Sequence, residues 1–597
     1  LRIGRQHRPS RYDLFADPPA PLVPDRWRLE VGERVDCHGQ VLERLDPAEI
    51  DSMIPFLQAE GITSVAISLI FSFLHPAHEQ AIAQQLRTAG FFVSPSSAIL
   101  PEYREYERTS TTVVNAYVSP IMDRYLGRLE EALIENRHAG DSLRIMQSNG
   151  GSISATEARR SAVRSILSGP AGGVVGAKAV GEAAGYSRLI TFDMGGTSTD
   201  VSLCEGTLRT TTEAEVGGCP LRIPMLDIHT VGSGGGSIAA VDAGGALRVG
   251  PASAGADPGP ACYGLGRPDD AGRRPAGFPT VTDANLVLGR LAADHFLGGA
   301  MQLDPERARE AIGRPAAELG LPLERTALGI IDVVNAQMER ALRVISLERG
   351  HDPCDFTLVS FGGAGGLHAA DLARRLGIQR VLISPYAATL SALGMLMADV
   401  IKDYTQTVML PGDTPLAALE KRLQPLTRAG VRDLLAEGVH RSEIVVEPML
   451  DIRYQGQSYE LTVPFGASVR ERFREAHQKA YGYASQETPL EIVNVRLRAV
   501  GAVRRPPLPA LPLAGPDPSP ALLDRRPVVL DAGRELIPFY RGEALRPGNK
   551  IPGPAVVLRT DTTILIGRRD RVEVDRYQNL IIAVGRTGII ETIGGKE

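Results

Sequence analysis

The chain has 597 residues and a mass of 63.9 kDa, room for about four domain-sized units, with a formal net charge of −5. That mild acidity excludes a general attraction to nucleic acid or anionic lipid, and 43% hydrophobic with 23% charged residues excludes wholesale disorder. The longest apolar run, VAISLIFSFL at 65–74, falls far short of the roughly 18 residues of a membrane span, and five cysteines without a CxxC pair exclude a disulfide scaffold or a zinc ribbon, so a soluble cytoplasmic protein is expected.

Residues 28–100 alternate short apolar runs with turns around a helix-like 78–88, predicting a mixed α/β lobe with 65–74 as a buried strand. Over 107–136, Val114, Tyr117, Ile121, Tyr125, Leu129 and Leu133 recur at helical spacing, with Pro120 as the candidate break. A strand at 143–147 and a turn at Asn149-Gly150-Gly151 precede a stretch rich in Gly and Ala at 168–185, a helix able to approach a neighbour closely. Residues 189–203 read as a hairpin around a Gly-Gly turn, and 215–285 as loop-rich, with GSGGGS at 232–237 and ASAGADPGPACYG at 252–264.

Asp304-Pro305 has the pattern of an N-cap followed by proline at the first helical position. Leu328, Ile331, Val334, Met338, Leu342 and Ile345 form an amphipathic face, and the strand at 356–360 runs into FGGAGG. Beyond about 399 the glycine content drops: a helix is predicted over 415–437 and strands near 449–463, then a proline-rich connector at 504–520 and a β-rich end.

The sharpest chemical signal is Asp193-Met-Gly-Gly-Thr-Ser-Thr-Asp200 between two predicted strands. Gly195 and Gly196 can turn backbone N–H groups toward an anion, Thr197 and Ser198 add hydroxyl donors, and a carboxylate at a strand end can hold hydrated Mg²⁺. Alone, the octapeptide also fits an ordinary hairpin turn with solvated carboxylates. The second signal is the glycine run after a strand, with Gly362, Gly363 and Gly365 ahead of a helix start at His368, a turn that lets backbone approach a nucleotide. It is not GxGxxG, and Walker A is absent.

Asp227 and His229, spaced D-x-H, are candidates for a second divalent metal or a substrate contact, with a structural role as the alternative. Asp257 and Cys262 fit a rigid Pro-Gly-Pro loop. The mixed charges and aromatics of 103–108 fit a solvated helix start, with a cleft or subunit contact as the alternative. His477, Tyr481 and Tyr483 fit packing, and Arg504 and Arg505 fit a solvated connector.

DMGGTSTDVSL at 193–203 resembles the second phosphate loop of the actin, sugar-kinase and heat-shock ATPase superfamily. With SGPAGGVVGA at 168–177, DIHTVGSGGGSIA at 227–239, GADPGPACYG at 255–264, TDANLVLGRL at 282–291, FGGAGG at 361–366 and LSALGMLMADV at 390–400, it is similar to the hydantoinase A/5-oxoprolinase family, which includes acetone and acetophenone carboxylase subunits. The resemblance implies an α/β, actin-like ATPase of duplicated RNase H-like domains with a C-terminal β-rich α+β region. It would divide as 1–180, 181–400, 401–505 and 521–597. It further implies ATP and Mg²⁺, with Asp193 orienting the metal through water, Gly195, Gly196 and Thr197 holding phosphates, Gly362, Gly363 and Gly365 lining the adenosine side, and Asp200 nearby in a less specific role. The expected activity is ATP-dependent opening of a small cyclic amide together with a B-type partner subunit; the alternatives are a ketone carboxylase subunit or a non-catalytic nucleotide-binding scaffold. The family opens with a first phosphate hairpin of DxGGTFTD type, which is expected upstream of Leu1.

Overall fold

The apolar hairpin predicted over 189–203 forms as antiparallel strands Arg188–Met194 and Thr199–Glu205. It founds the largest sheet among the described residues of the computed structural model, which describes residues 12–13, 15–16, 21–136, 143–265 and 277–585. Two compact units form. The first takes in the chain up to Ala171, Thr210–Leu226 and Ala398–Arg504; the second takes in Gly172–Arg209, Asp227–Met397 and the chain from Arg505 on.

This division differs from the sequential one expected at 1–180, 181–400, 401–505 and 521–597, because strand pairing ignores chain order. Val400–Pro411 runs beside Ser152–Ser154 in the first unit, and Leu580–Ala583 pairs with Arg380–Ile383 in the second. Three strands of the β-rich end thus complete the second unit's central sheet, while Leu522–Leu530, Gly533–Arg541, Ala555–Leu558 and Thr563–Ile566 form a four-stranded sheet of their own.

In that second unit the sheet runs Ile228–Val231, Thr199–Glu205, Arg188–Met194, Thr357–Phe361, Arg380–Ile383, Leu580–Ala583, Arg571–Val574 and Lys550–Pro552, with Thr207–Leu208 paired off one strand. Thr357–Phe361 is parallel to both neighbours and fully buried, as a near-continuous apolar run in a parallel arrangement requires. The predicted amphipathic face appears on helix Leu323–Ile345, where Ile331, Val334, Met338, Leu342 and Ile345 are buried. Asp304 caps helix Pro305–Leu319 by accepting from the N–H groups of Glu306 and Arg307. The loop-rich reading of 215–285 was too coarse for its second half: Ser237–Val241 and Leu247–Ser253 form a hairpin, and Val281–Val287 is a helix with a capping box from Thr280 and Asp283.

The Gly- and Ala-rich helix Ser168–Ala183 makes the close approach its composition predicts. A Cβ on Gly394, in helix Leu390–Met397, would stand 1.8 Å from the carbonyl oxygen of Gly172 and 2.8 Å from the nitrogen of Gly176. Neither backbone can yield without moving its helix, so Gly394→Ala is expected to cost about 1–3 kcal/mol. Urea unfolding checks this, with Gly313→Ala, where a Cβ meets nothing within 4 Å, as the comparison.

In the first unit the sheet runs Leu461–Pro464, Ile444–Tyr454, Leu490–Gly501, Val400–Pro411, Ser152–Ser154 and Arg144–Met146. Helix Leu416–Ala436 buries Leu419 and Leu423 in the same apolar cluster as Leu450 and Val495 of that sheet. Two sequence expectations are corrected here. The run 65–74 is a strand only over Ser64–Ile67; Phe71 has φ 59°, and Ile70 and Leu74 are exposed. Helix Glu105–Glu135 is unbroken, because Ser64 Oγ donates at 2.7 Å to the Ala116 carbonyl oxygen, the acceptor that Pro120 deprives of its N–H four residues on. Its buried face is the small polar one, with Thr109, Thr112, Asn115 and Ser119, and Tyr117, Ile121 and Tyr125 lie exposed. Among the described residues no helix is long and apolar enough to cross a membrane.

Candidate functional site

Hairpin register sets the chemistry. Asp193 and Asp200 are directly opposed residues of strands Arg188–Met194 and Thr199–Glu205, so their carboxyl groups share one face of the hairpin. Burial, and then the charge of Asp200, pushes the Asp193 carboxyl up to about 7; burial also raises that of Asp200, against the hydrogen bond it accepts from Thr230 Oγ1 at 2.5 Å. Neither has a cationic partner among the described residues. Facing carboxylates without a cation are destabilising unless positive charge arrives.

The turn between the strands offers the opposite polarity. Gly195 N–H closes it by donating to the Ser198 carbonyl at 3.1 Å, while the N–H groups of Gly196, Thr197 and Ser198 find no acceptor among the described residues. Three successive free backbone donors make a concavity for an anion. The GSGGGS segment buttresses it: Gly235 N–H donates to Gly195 O at 3.0 Å and Gly236 N–H to Gly196 O at 2.6 Å. Here glycine is required, since a Cβ on Gly234 would lie 2.6 Å from the backbone of Gly196.

A cleft opens beside this turn, lined by Gly195, Gly196, Gly235 and Gly236 at one side and by Gly363 and Ala364 at another; Tyr263, Leu291 and Phe296 supply apolar wall. Ala364 N–H donates to Met194 O at 3.0 Å, which ties the second glycine run to the first. Of that run only Gly363 lines the cleft. Gly362 has φ 78° and comes so close to Asp193 that a Cβ would stand 2.4 Å from its Oδ1, and Gly365 packs on Ser360 and Phe192. These two glycines shape the carboxylate's surroundings and the strand end rather than a ligand surface.

Asp227 and His229 do not join the cleft. The Asp227 carboxylate is ion-paired with Arg349, and His229 sits on strand Ile228–Val231 opposite Val201. Among the described residues no group of three or more His, Cys, Asp or Glu is placed to hold a metal ion. Cys262 is fully buried, its thiol pushed up by burial and by the carboxyl of Asp283, and Asp257 is exposed. Residues 103–108 are not a solvated helix start: Arg108 is 1% exposed and donates to the carbonyls of Glu102 and Leu69, and Arg104 pairs with Glu460. His477 packs against Tyr481 and Tyr483 as expected, and Arg504 and Arg505 are exposed.

Sequence reasoning missed the C-terminal contribution. Arg559 to Thr563, between strands Ala555–Leu558 and Thr563–Ile566, line the same cleft. Arg559 is 8% exposed, donates through Nη2 to Gln578 O at 2.8 Å, and has no partner at Nη1 among the described residues; burial holds its pKa down to about 10. The polar run RTDTT between two apolar strands was the available signal. As a whole the arrangement suits a polyanion accompanied by a cation, with a flat apolar portion beside it.

The family description "Hydantoinase/oxoprolinase" matches residues 108–404, its N-terminal region residues 1–90 and its C-terminal domain residues 414–582. The chain is 38% identical to caprolactamase subunit alpha of Pseudomonas jessenii, covering 96% of this chain and 84% of that one. It is 32% identical to the acetophenone carboxylase gamma subunit of Aromatoleum aromaticum (94% and 79%). To 5-oxoprolinase of Saccharomyces cerevisiae it is 37% identical, spanning only 36% of that protein's length. The crystal structure of the ATP-dependent caprolactamase from Pseudomonas jessenii superposes with a TM-score of 0.84 at 36% identity, covering 98% of this chain and 86% of that one. Nucleotide-free acetone carboxylase superposes with a TM-score of 0.76 at 28% identity, covering 96% and 83%. With family matches along its length and a like fold in these relatives, the chain belongs to the hydantoinase/oxoprolinase family.

Proposed function

We propose that this chain is the ATP-binding subunit of an ATP-dependent cyclic-amide hydrolase, and that its second unit holds the nucleotide in the manner of an actin-like ATPase. The observation that carries this reading is the opposed pair Asp193 and Asp200, without a cation, beside three successive backbone N–H groups without acceptors. The donor set fits Mg·ATP: the N–H groups and the Arg559 guanidinium suit phosphate oxygens, and the carboxylates suit a hydrated cation. Bound there, Mg²⁺ would neutralise charge on the phosphates.

The chain's own residues then have distinct tasks. Gly196, Thr197 and Ser198 orient the terminal phosphoryl group. Asp193 and Asp200 set the local charge, Asp200 being steadied by Thr230. In the reaction proposed, the amide oxygen of the ring attacks the γ-phosphorus as the bond to ADP breaks. The phosphorylated imidate carbon is a better electrophile than a resonance-stabilised lactam; water adds there, inorganic phosphate leaves, and the ring opens. The subunit names of the caprolactamase and acetophenone carboxylase relatives support a heteromer, here with a B-type partner subunit.

The second reading, the ATP-using subunit of a ketone carboxylase, is favoured by the likeness to acetone carboxylase. ADP release by the chain with its co-purified partner separates the two. Caprolactam, 5-oxoproline or hydantoin is expected to stimulate release; stimulation by acetone or acetophenone with bicarbonate alone would overturn the hydrolase reading.

A further inference from the structure

Two lining residues of the cleft carry polar atoms that phosphate binding leaves unused. His368 and Asn285 are each 1% exposed, and both line the cleft together with Tyr263, Leu291 and Phe296. Asn335 Nδ2 donates to the Asp371 carboxylate at 2.9 Å, which leaves the Asn335 Oδ1 free only to accept; His368 Nδ1 lies 2.7 Å from that oxygen. The imidazole proton therefore sits on Nδ1, and Nε2 presents a lone pair. No donor reaches Nε2 among the described residues. Burial, and the neighbouring charge of Arg290, keep the ring neutral with a pKa down to about 3. Asn285 spends its Nδ2 on the Val281 carbonyl at 3.2 Å, and its Oδ1 is likewise a buried acceptor without a donor.

An unpartnered buried acceptor costs free energy, and the cleft wall gives two of them; the other buried side-chain nitrogens without a hydrogen-bond partner among the described residues near them are Arg559 Nη1 and His295 Nδ1 of the lining and Nε of the neighbouring Arg290. A ligand that brings N–H groups on a flat apolar ring supplies the donors these acceptors lack. The rings of Tyr263 and Phe296, with centroids 5.6 Å apart, offer such a ring a surface.

Resting on the ATP reading above, the structure assigns His368 and Asn285 as the base-selecting residues of the cleft: they accept from the exocyclic amine of adenine, and Asn335 and Asp371 are positioning residues that hold the His368 tautomer. Their acceptors prefer an adenine nucleotide to an otherwise identical one without the 6-amino group.

The test compares ADP with purine riboside 5′-diphosphate, which carries hydrogen at position 6, by calorimetry on the intact chain. ADP is expected to bind roughly 10- to 100-fold more tightly, the size of effect expected when a buried acceptor is left unpaired. Asn285→Leu, close in volume, is expected to shrink that ratio several-fold by weakening ADP alone. Equal affinities for the two diphosphates in the unaltered chain would overturn the assignment while leaving the ATP reading standing. No affinity for either diphosphate would overturn both.

Discussion

Asp193→Asn is expected to lower nucleotide-driven turnover by about 10²–10³-fold, the loss seen when one preorganised charge-stabilising group leaves a transition-state site. The fold should survive, because Asp193 has no ion pair among the described residues to lose and faces a like charge. The same substitution carries a pH signature. In the unliganded protein the Asp193 carboxyl titrates at about 7, against 3.8 when unperturbed. Between those values the folded state retains a proton that the unfolded chain releases. Its contribution to stability is therefore fully present below about pH 4 and is lost as pH rises through 7. With solvent screening at this half-buried carboxylate, the fall amounts to about 1–3 kcal/mol. Thermal unfolding from pH 4 to 8 should show that slope in the parent chain and a flatter profile in Asp193→Asn. Unchanged turnover would remove Asp193 from the site, and an unchanged slope would assign the titration elsewhere.

The largest stability effect is expected in the first unit, at Glu102. Its carboxylate accepts from Arg222 Nε at 2.5 Å and from Arg496 Nη2 at 2.7 Å. Arg496 also pairs with Asp451 at 2.6 Å, and Arg222 with Glu460, which in turn pairs with Arg104 at 2.8 Å. The side chains of Glu102, Arg222 and Arg496 are 1%, 3% and 7% exposed. Glu102→Ala takes one carboxylate partner from each of two buried guanidinium groups and leaves the network with an uncompensated positive charge in a poorly solvated interior, and about 3–5 kcal/mol of stability should be lost. Glu339→Ala, which breaks a pair with the half-exposed Arg343, should cost about 1 kcal/mol or less. Comparable losses in urea unfolding for the two variants would show that the buried network contributes no more than a surface pair.

Local order was readable wherever a segment's own residues settle it. The hairpin around Gly195 and Gly196, the cap at Asp304 and the amphipathic helix from Leu323 depend on turn chemistry, one side-chain acceptor and a single periodicity, all within a few residues. Helix Glu105–Glu135 marks where that logic stops. Its spacing was legible, but the hydroxyl that satisfies the Ala116 carbonyl comes from Ser64, and the polar face is the buried one because hydroxyls and amides there find partners on other segments, as Ser68 does with Thr109 and Ser94 with Asn115. The charged run 103–108 was misread for the same reason: a guanidinium is expected in water until carboxylates and carbonyls from distant segments surround it.

For the candidate site, residue type and order along the chain determined that two acidic side chains would flank a glycine turn, since antiparallel pairing across a short turn leaves little choice of register. Only the tertiary structure decided which glycines face the cleft, that Asp227 is taken up by Arg349, and that Arg559, Asn285 and His368 converge on one cavity. Those outcomes depend on burial and pairing between residues hundreds of positions apart. Spacing along a chain carries no information about which strands become neighbours in a sheet, and hence none about which polar atoms end up sharing a poorly solvated space.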